Sequence, residues 1–299
     1  MHKAGFVNIV GNPNVGKSTL MNALVGERIS IITSKAQTTR HRITGIVNEA
    51  DCQIVFSDTP GVLKPQYKLQ ESMLNFSQSA LVDADILLYI TDMVETVDKN
   101  GDFVAKVAKM EIPVLLVINK IDLSDQKSLE NRVETLRALL PKAEIIPMSA
   151  LHRFNVDYLL RRIKELLPEC PPYFGKDALT DKPTRFFVSE IIREKILLYY
   201  QKEIPYSVEV VVESYKEEPA RKNGRGKVHI QAVVLVERES QKGIIIGHGG
   251  MALKKVGTAA RQDIEKFLDE DVFLELFVKV DKDWRDSDAE LKNFGYQPE

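Results

Sequence analysis

The chain is short of several things, and each shortage narrows its class. Two cysteines in 299 residues, Cys52 and Cys170, cannot build a disulfide framework, and neither stands in a CxxC or other metal-ligand spacing. A reduced, cytosolic protein is expected. No apolar run approaches the ~18 residues that a membrane-spanning helix needs, and the longest, such as IPVLLVIN, has the length of a strand. The opening MHKAGFVNIVG lacks the layout of a secretory signal and leads straight into a glycine loop. An excess of charge is missing too. With a net charge of -2, any nucleic-acid role must rest on a local patch. What remains is a soluble globular composition, 44% hydrophobic and 28% charged, in a chain long enough for two ordinary domains.

Up to about Leu167, short apolar runs alternate with amphipathic stretches: FVNIVG then STLMNALVG, CQIVFSD then ESMLNFSQSALV, ADILLYITD then GDFVAKVAKM, PVLLVIN then SLENRVETLRALL, AEIIPMS then VDYLLRRIKELL. Buried strands alternating with helices predict an α/β domain, a mostly parallel sheet with helices on both faces. ITGIVNEA adds an antiparallel edge strand. From Pro168 to Pro183, proline and glycine displace the periodicity. The expected division is therefore a first domain over 1–168, a linker over 169–182 and a second domain over 183–299. The second reads helix, strand, strand, helix, strand, an α+β unit, with the polar tip EEPARKNGRG between its first two strands.

Gly11, Asn12, Pro13, Asn14, Val15, Gly16, Lys17 and Ser18 spell G-x-x-x-x-G-K-S after an apolar strand and before a helix, and with Thr19 they are the candidate nucleotide-binding residues of this loop. The pattern alone arises by chance in about 1% of chains this long, so the strand–loop–helix setting makes it a phosphate loop. Its backbone N–H groups would wrap the phosphates, Lys17 would reach the terminal ones, and the Ser18 hydroxyl would ligate Mg²⁺. Asp58-Thr59-Pro60-Gly61 ends the next buried run, with Asp58 placed to hold Mg²⁺ through water and the Gly61 amide to face a γ-phosphate. Asn119-Lys120-Ile121-Asp122 ends another. The Asp122 carboxylate can accept from the ring N–H and the exocyclic amine of guanine, a pair that adenine lacks. Ser149-Ala150-Leu151 would bring a backbone N–H to the guanine carbonyl. Ligands of doubly wound sheets bind along this strand edge. Between the first two motifs lies SKAQTTRHRIT, a candidate switch whose Thr39, ahead of Thr38, would complete the Mg²⁺ shell. The candidates for catalysis are Lys17, Thr39 and Gly61.

A second glycine loop, Gly247-His248-Gly249-Gly250, is uninformative alone, because G-x-x-G should occur about once by chance in such a chain. Its setting within the α+β unit is that of a type II KH domain, which uses this loop to clamp single-stranded RNA. Residues 241–266 carry five basic side chains against two acidic ones. Lys254, Thr258 and Arg261 fall on one helix face. Trp284, the only tryptophan, is expected near the RNA end of this domain, against the rival reading of a cap on its core.

In order and spacing, GNPNVGKSTLMNALVG, KAQTTRHRI, DTPG, NKID, EIIREK, PYSVEV, LVERESQK and the III-GHGG loop resemble the Era family of GTPases over essentially the whole chain. The resemblance implies a P-loop GTPase domain followed by a KH domain, binding GTP or GDP with Mg²⁺. It also implies ribosomal RNA of the small subunit, near its 3′ end, and the small ribosomal subunit as partners. It suits a cytoplasmic monomer, with room for peripheral association at the inner membrane face. Carried over by residue, RNA contacts would be Ile244, Ile245, Ile246, Gly247, His248, Gly249, Gly250, Lys254 and Lys255. His248 stands where a basic or polar residue is expected. Val62, after DTPG, has no hydrogen-bonding group to orient water. The cation that speeds hydrolysis would then be Arg40 or, as GTPases with the GxPNxGKS loop imply, K⁺ held by Asn14 and switch carbonyls. A protein-docking second domain, a TrmE-type enzyme and a non-catalytic nucleotide sensor are the rival readings. The missing C-terminal cysteine speaks against the second of these.

Overall fold

The computed structural model describes residues 2–95, 101–218 and 226–296. The chain divides into two compact units between Asp181 and Lys182. The first runs β1 (Lys3–Gly11), α1 (Lys17–Val25), β2 (Ile43–Asn48), β3 (Cys52–Asp58), α2 (Lys68–Val82), β4 (Ile86–Asp92), α3 (Gly101–Ala108), β5 (Val114–Asn119), α4 (Gln126–Leu139), β6 (Glu144–Pro147) and α5 (Val156–Leu166). Its sheet has the order β2-β3-β1-β4-β5-β6. Only β2 is antiparallel to its neighbour, as its position before CQIVFSD predicts.

Every residue of β3, β4 and β5 is buried, which is why these strands read as unbroken apolar runs. On one face Ala80, Phe103, Val107 and Leu136 from α2, α3 and α4 meet Leu87, Tyr89, Leu116 and Ile118. The contacting pair α1 and α5 covers the other. Registers Ile9↔Asp58, Gly11↔Ile90, Asp92↔Asn119 and Ile118↔Pro147 bring the carboxyl ends of β1, β3, β4, β5 and β6 to one edge. The motif loops all leave from that edge.

The proline-rich stretch is not a free tether. The buried Gln53 carboxamide accepts from the N–H groups of Tyr173 (2.7 Å) and Phe174 (3.0 Å) and donates to the Phe174 carbonyl (2.9 Å). Asn48 Nδ2 donates to the Ala178 carbonyl (3.1 Å), and the Ile46 N–H to that of Leu179 (2.8 Å). Residues 173–179 thus run along β2, on the side that no strand occupies.

The second unit runs α6 (Thr184–Tyr199), β7 (Val208–Glu218), β8 (Lys227–Val236), α7 (Glu239–Ile246), α8 (Met251–Leu268), β9 (Asp271–Val280) and α9 (Asp288–Asn293). In its sheet β7 and β8 are antiparallel and β8 and β9 parallel. A parallel pair needs a crossover, which α7 and α8 supply. Val188, Ile192 and Ile196 of α6 and Val256, Ala260 and Ile264 of α8 form the core with Val210, Ile230 and Val234. The strand-connecting tip over 219–225 lies outside the described residues.

Two expectations change here. The stretch ESQKGIII is a helix: the Gln241 side chain accepts from the N–H groups of Glu237 and Arg238 and caps α7. Gly243, a poor helix former, had hidden it. Trp284 is 0% exposed, donates from Nε1 to the Ser207 carbonyl (3.3 Å) and meets Phe294 edge-on. It caps the core and cannot stack on RNA. Its fluorescence should keep a buried emission maximum and stay unchanged on titration with single-stranded RNA. A shift in step with binding would contradict this placement.

Candidate functional site

The loop from Gly11 to Ser18 joins β1 to α1, whose first N–H groups have no partners within the helix and so form an anion site. Lys17 is buried beneath it, donating to the carbonyls of Gly11 (3.1 Å) and Asn12 (2.7 Å). Burial lowers its ammonium pKa to about 8, opposed by the Asp58 and Glu95 carboxylates. Ser18 Oγ donates to Asp58 Oδ2 (2.7 Å) and shares a hydrogen bond with Thr39 Oγ1 (2.9 Å), which also reaches Asp58 Oδ2 (3.4 Å). Asp58 Oδ1 is buried without a hydrogen bond. Burial pushes the Asp58 pKa up, against the pull of Lys17. Two hydroxyls gathered on a carboxylate that keeps an unsatisfied oxygen make a set of oxygen donors that would suit a hard divalent cation such as Mg²⁺.

Tertiary structure separates the two threonines. Thr38 Oγ1 donates to the Lys35 carbonyl (2.6 Å) and pairs with Thr33 Oγ1 (2.6 Å), so it closes a turn, whereas Thr39 turns to Ser18 and Asp58. Gly61 lies so close to the P-loop that a Cβ there would sit 2.6 Å from Pro13 backbone atoms. The Val62 N–H donates to the Gly11 carbonyl (3.1 Å) and its side chain is buried in the core. That of Gly61 has no partner among the described residues. A cleft of about 460 Å³ lies between the P-loop, the segment from Ile31 to Thr39, Gly61 and Lys120. Arg40 is fully buried and does not line it. Asn14, exposed, does. Lys35 also lines it, and desolvation lowers its pKa.

At the other end of the cleft, Asn119 Nδ2 donates to the Val15 carbonyl (2.8 Å) and its Oδ1 accepts from the Ala150 N–H (2.9 Å), joining three motif loops. Lys120 Nζ reaches the Asn14 carbonyl and Asp92 Oδ2, both at 2.6 Å. The Ser149 and Ala150 N–H groups are thus used inside the fold, Ser149 on Phe154. The Leu151 N–H has no such partner among the described residues and is the amide left for a base carbonyl. Asp122 sits in a single 3₁₀ turn, with the His152 ring 3.8 Å from its carboxylate.

Sequence reasoning missed the supports. Asn12 Nδ2 donates to Glu95 Oε2 (2.7 Å), so Asn12 braces the loop from behind. Arg42 anchors the end of the switch segment on Asp83 (2.6 Å), Ser57 (3.0 Å) and Asn8 (3.2 Å). No local pattern announces contacts between residues so far apart in sequence.

In the second unit, Gly250, Leu253, Lys254, Gly257, Thr258 and Arg261 form one wall of a groove of about 350 Å³, with Leu274 and Leu276 of β9 opposite. The glycine loop closes one end. A Cβ on Gly247 (φ +68°) would meet that of Ala252 at 2.6 Å, whereas Gly249 (φ +57°) faces open space. The three isoleucines do not act together: Ile245 is 0% exposed in the core, Ile246 half-buried and Ile244 49% exposed. Lys255 leaves the groove and lies over the Tyr199 ring (4.6 Å), while Lys254 faces it.

The family described as 50S ribosome-binding GTPase matches residues 6–120, and the KH domain family matches 203–285. GTPase Era of Geotalea daltonii is 46% identical over 295 residues, 98% of either chain. That of Clostridium kluyveri is 46% identical over 298 residues, 99% of this chain and all of its own. The chain belongs to the Era family of GTPases. As an Era GTPase it hydrolyses GTP, and two crystal structures share its fold at a TM-score of 0.93 and 39% identity. One is Era in complex with MgGDPNP and nucleotides 1506–1542 of 16S ribosomal RNA, covering 100% of both chains. The other is an Aquifex aeolicus Era variant bound to GDP and AlF₄⁻, covering 99% of this chain and 100% of its own.

Proposed function

We infer that this protein is a GTP-hydrolysing, RNA-binding factor that binds small-subunit ribosomal RNA near its 3′ end and assists maturation of the small ribosomal subunit. The observation that carries the reading is one chain holding both a nucleotide cleft, where Ser18, Thr39 and Asp58 converge beside the phosphate loop, and a glycine-ended basic groove. The family description naming the 50S particle reaches only residues 6–120. The relative crystallised with 16S RNA is similar across both domains, which favours the small subunit. Crosslinking the GTP-loaded protein to total cellular RNA should enrich the 3′ end of the small-subunit RNA. Enrichment elsewhere, or none, would overturn the reading.

Within the cleft, P-loop amides and Lys17 hold the β- and γ-phosphates, and Gly61 offers its N–H to the γ-phosphate. Ser18 and Thr39 would hold Mg²⁺ directly and Asp58 through water, and the bound metal would supply positive charge to the phosphates. Asp122 and the Leu151 amide read the guanine. In the second domain the RNA backbone crosses Gly247–Gly250, with Lys254 and Arg261 along the groove; Ile244 and His248 flank it. We place the protein in the cytoplasm as a monomer, with any stay at the inner membrane face peripheral. No helix among the described residues is long and apolar enough to cross a membrane.

Hydrolysis should be slow and faster in K⁺ than in Na⁺. Val62 cannot orient water and Arg40 is turned away, while Asn14 is exposed on the cleft wall where a monovalent ion could bridge it to the phosphates. Asn14→Ala should abolish the K⁺ preference and keep GTP binding. Equal wild-type rates in matched K⁺ and Na⁺ buffers would remove the ion from the reading.

A further inference from the structure

We propose that Lys35, in the switch segment, contacts the terminal phosphate of GTP and stabilises the charge that develops there during hydrolysis. The inference rests on the nucleotide site read above and adds a catalytic residue to it. Three lysines line the cleft. Lys17 lies beneath the phosphate loop, and Lys120 is tied to the Asn14 carbonyl and Asp92 at the base end. Lys35 alone comes from the segment that lies across the cleft from the P-loop.

Its backbone is held in a frame. The Lys35 N–H donates to Thr33 Oγ1 (3.1 Å), its carbonyl accepts from Thr38 Oγ1 (2.6 Å), and the two hydroxyls bond to each other (2.6 Å). The far side of this turn is pinned where Gln37, at φ +58°, accepts from the Tyr67 hydroxyl (2.9 Å). Thr39 follows directly, with its hydroxyl among the metal ligands. The turn that presents Lys35 is therefore continuous with the residue that senses the γ-phosphate side of the site. A half-buried lysine in the wall of a triphosphate cleft is within a side chain's reach of phosphate oxygens, with which an ammonium makes strong charge-assisted hydrogen bonds.

In hydrolysis, water oxygen bonds to the γ-phosphorus and the bond from that phosphorus to the β-bridging oxygen breaks. GDP leaves with the electron pair, and the water's protons pass to phosphate and solvent. Charge grows on the bridging and equatorial oxygens, where a fixed cation accelerates the step. With Val62 in the core and Arg40 buried away from the cleft, Lys35 is the protein cation placed to do this from the switch side.

The test uses the full chain with Lys35→Met and Lys35→Arg. Affinities for GDP and GDPNP are measured by titration and hydrolysis by single turnover, in Mg²⁺ and K⁺. Lys35→Met should bind GDP within about twofold of wild type, bind GDPNP about 10-fold more weakly and hydrolyse GTP about 100-fold more slowly, the scale of losing one charge-stabilising donor. Lys35→Arg should recover most of the rate. A wild-type rate in Lys35→Met, or equal weakening of GDP and GDPNP, overturns the proposal. A wild-type chain that bound neither nucleotide would instead overturn the site reading itself.

Discussion

Replacing Asp122 with asparagine should turn the protein from a guanine reader into a xanthine reader. The carboxylate of Asp122 is partly open and, among the described residues, has His152 near it and no hydrogen bond, so the exchange removes no such bond. Guanine presents two donors, its ring N–H and its amine, to two carboxylate oxygens. Asparagine keeps one acceptor and replaces the other with a donor, which suits the carbonyl that xanthine carries in place of the amine. A buried polar group left without its partner costs up to ~10⁴–10⁵ in discrimination. GTP should therefore lose at least about 10³-fold in affinity while XTP approaches the wild-type value for GTP. Competition binding with GTP, XTP and ATP measures this directly. A variant that still prefers GTP over XTP would show that another group reads the base.

Gly249→Asp should abolish RNA binding and leave guanine-nucleotide affinity as it was. Gly249 sits at φ +57°, a conformation that aspartate tolerates better than most residues. A Cβ there meets nothing within 4 Å. The fold can accept it, and the carboxylate then projects where the RNA backbone must approach. Gly247 would be the wrong position for this experiment, because its Cβ would strike Ala252 and any loss could be structural. The wild-type affinity for single-stranded RNA should also fall linearly with salt on a log–log plot. Unchanged RNA affinity in Gly249→Asp, with Mg²⁺-dependent GTP binding intact, would give the second domain to a protein partner.

The nucleotide cleft was legible in sequence because each motif follows a buried strand and works within a few residues of its end, so one-dimensional order already implies the shared edge. Sequence ranked Thr39 ahead of Thr38 without a physical cause; the fold distinguishes them, pairing Thr38 with Thr33 and setting Thr39 beside Ser18 and Asp58. What sequence could not reveal is which amides the fold itself consumes: Asn119 takes the Ala150 N–H, and only tertiary structure moves the free amide to Leu151. The role of three adjacent isoleucines was equally hidden, because a helix sends neighbours 100° apart and puts Ile245 in the core while Ile244 faces out. Trp284 was read from its distance to the last strand, and a buried hydrogen bond to Ser207 decided otherwise.

The chain segment lying along β2 has a bearing on solubility. An edge strand with open N–H and carbonyl groups is a template for pairing with a second molecule, and β2 would be such an edge but for Ala178 and Leu179. Gln53 would at the same time lose its hydrogen bonds to Tyr173 and Phe174 and keep the one to Asn48. A first domain cut after Leu167 should therefore self-associate, and one cut after Asp181 should stay monodisperse at the same concentration, even though both retain every strand and every residue of the nucleotide cleft.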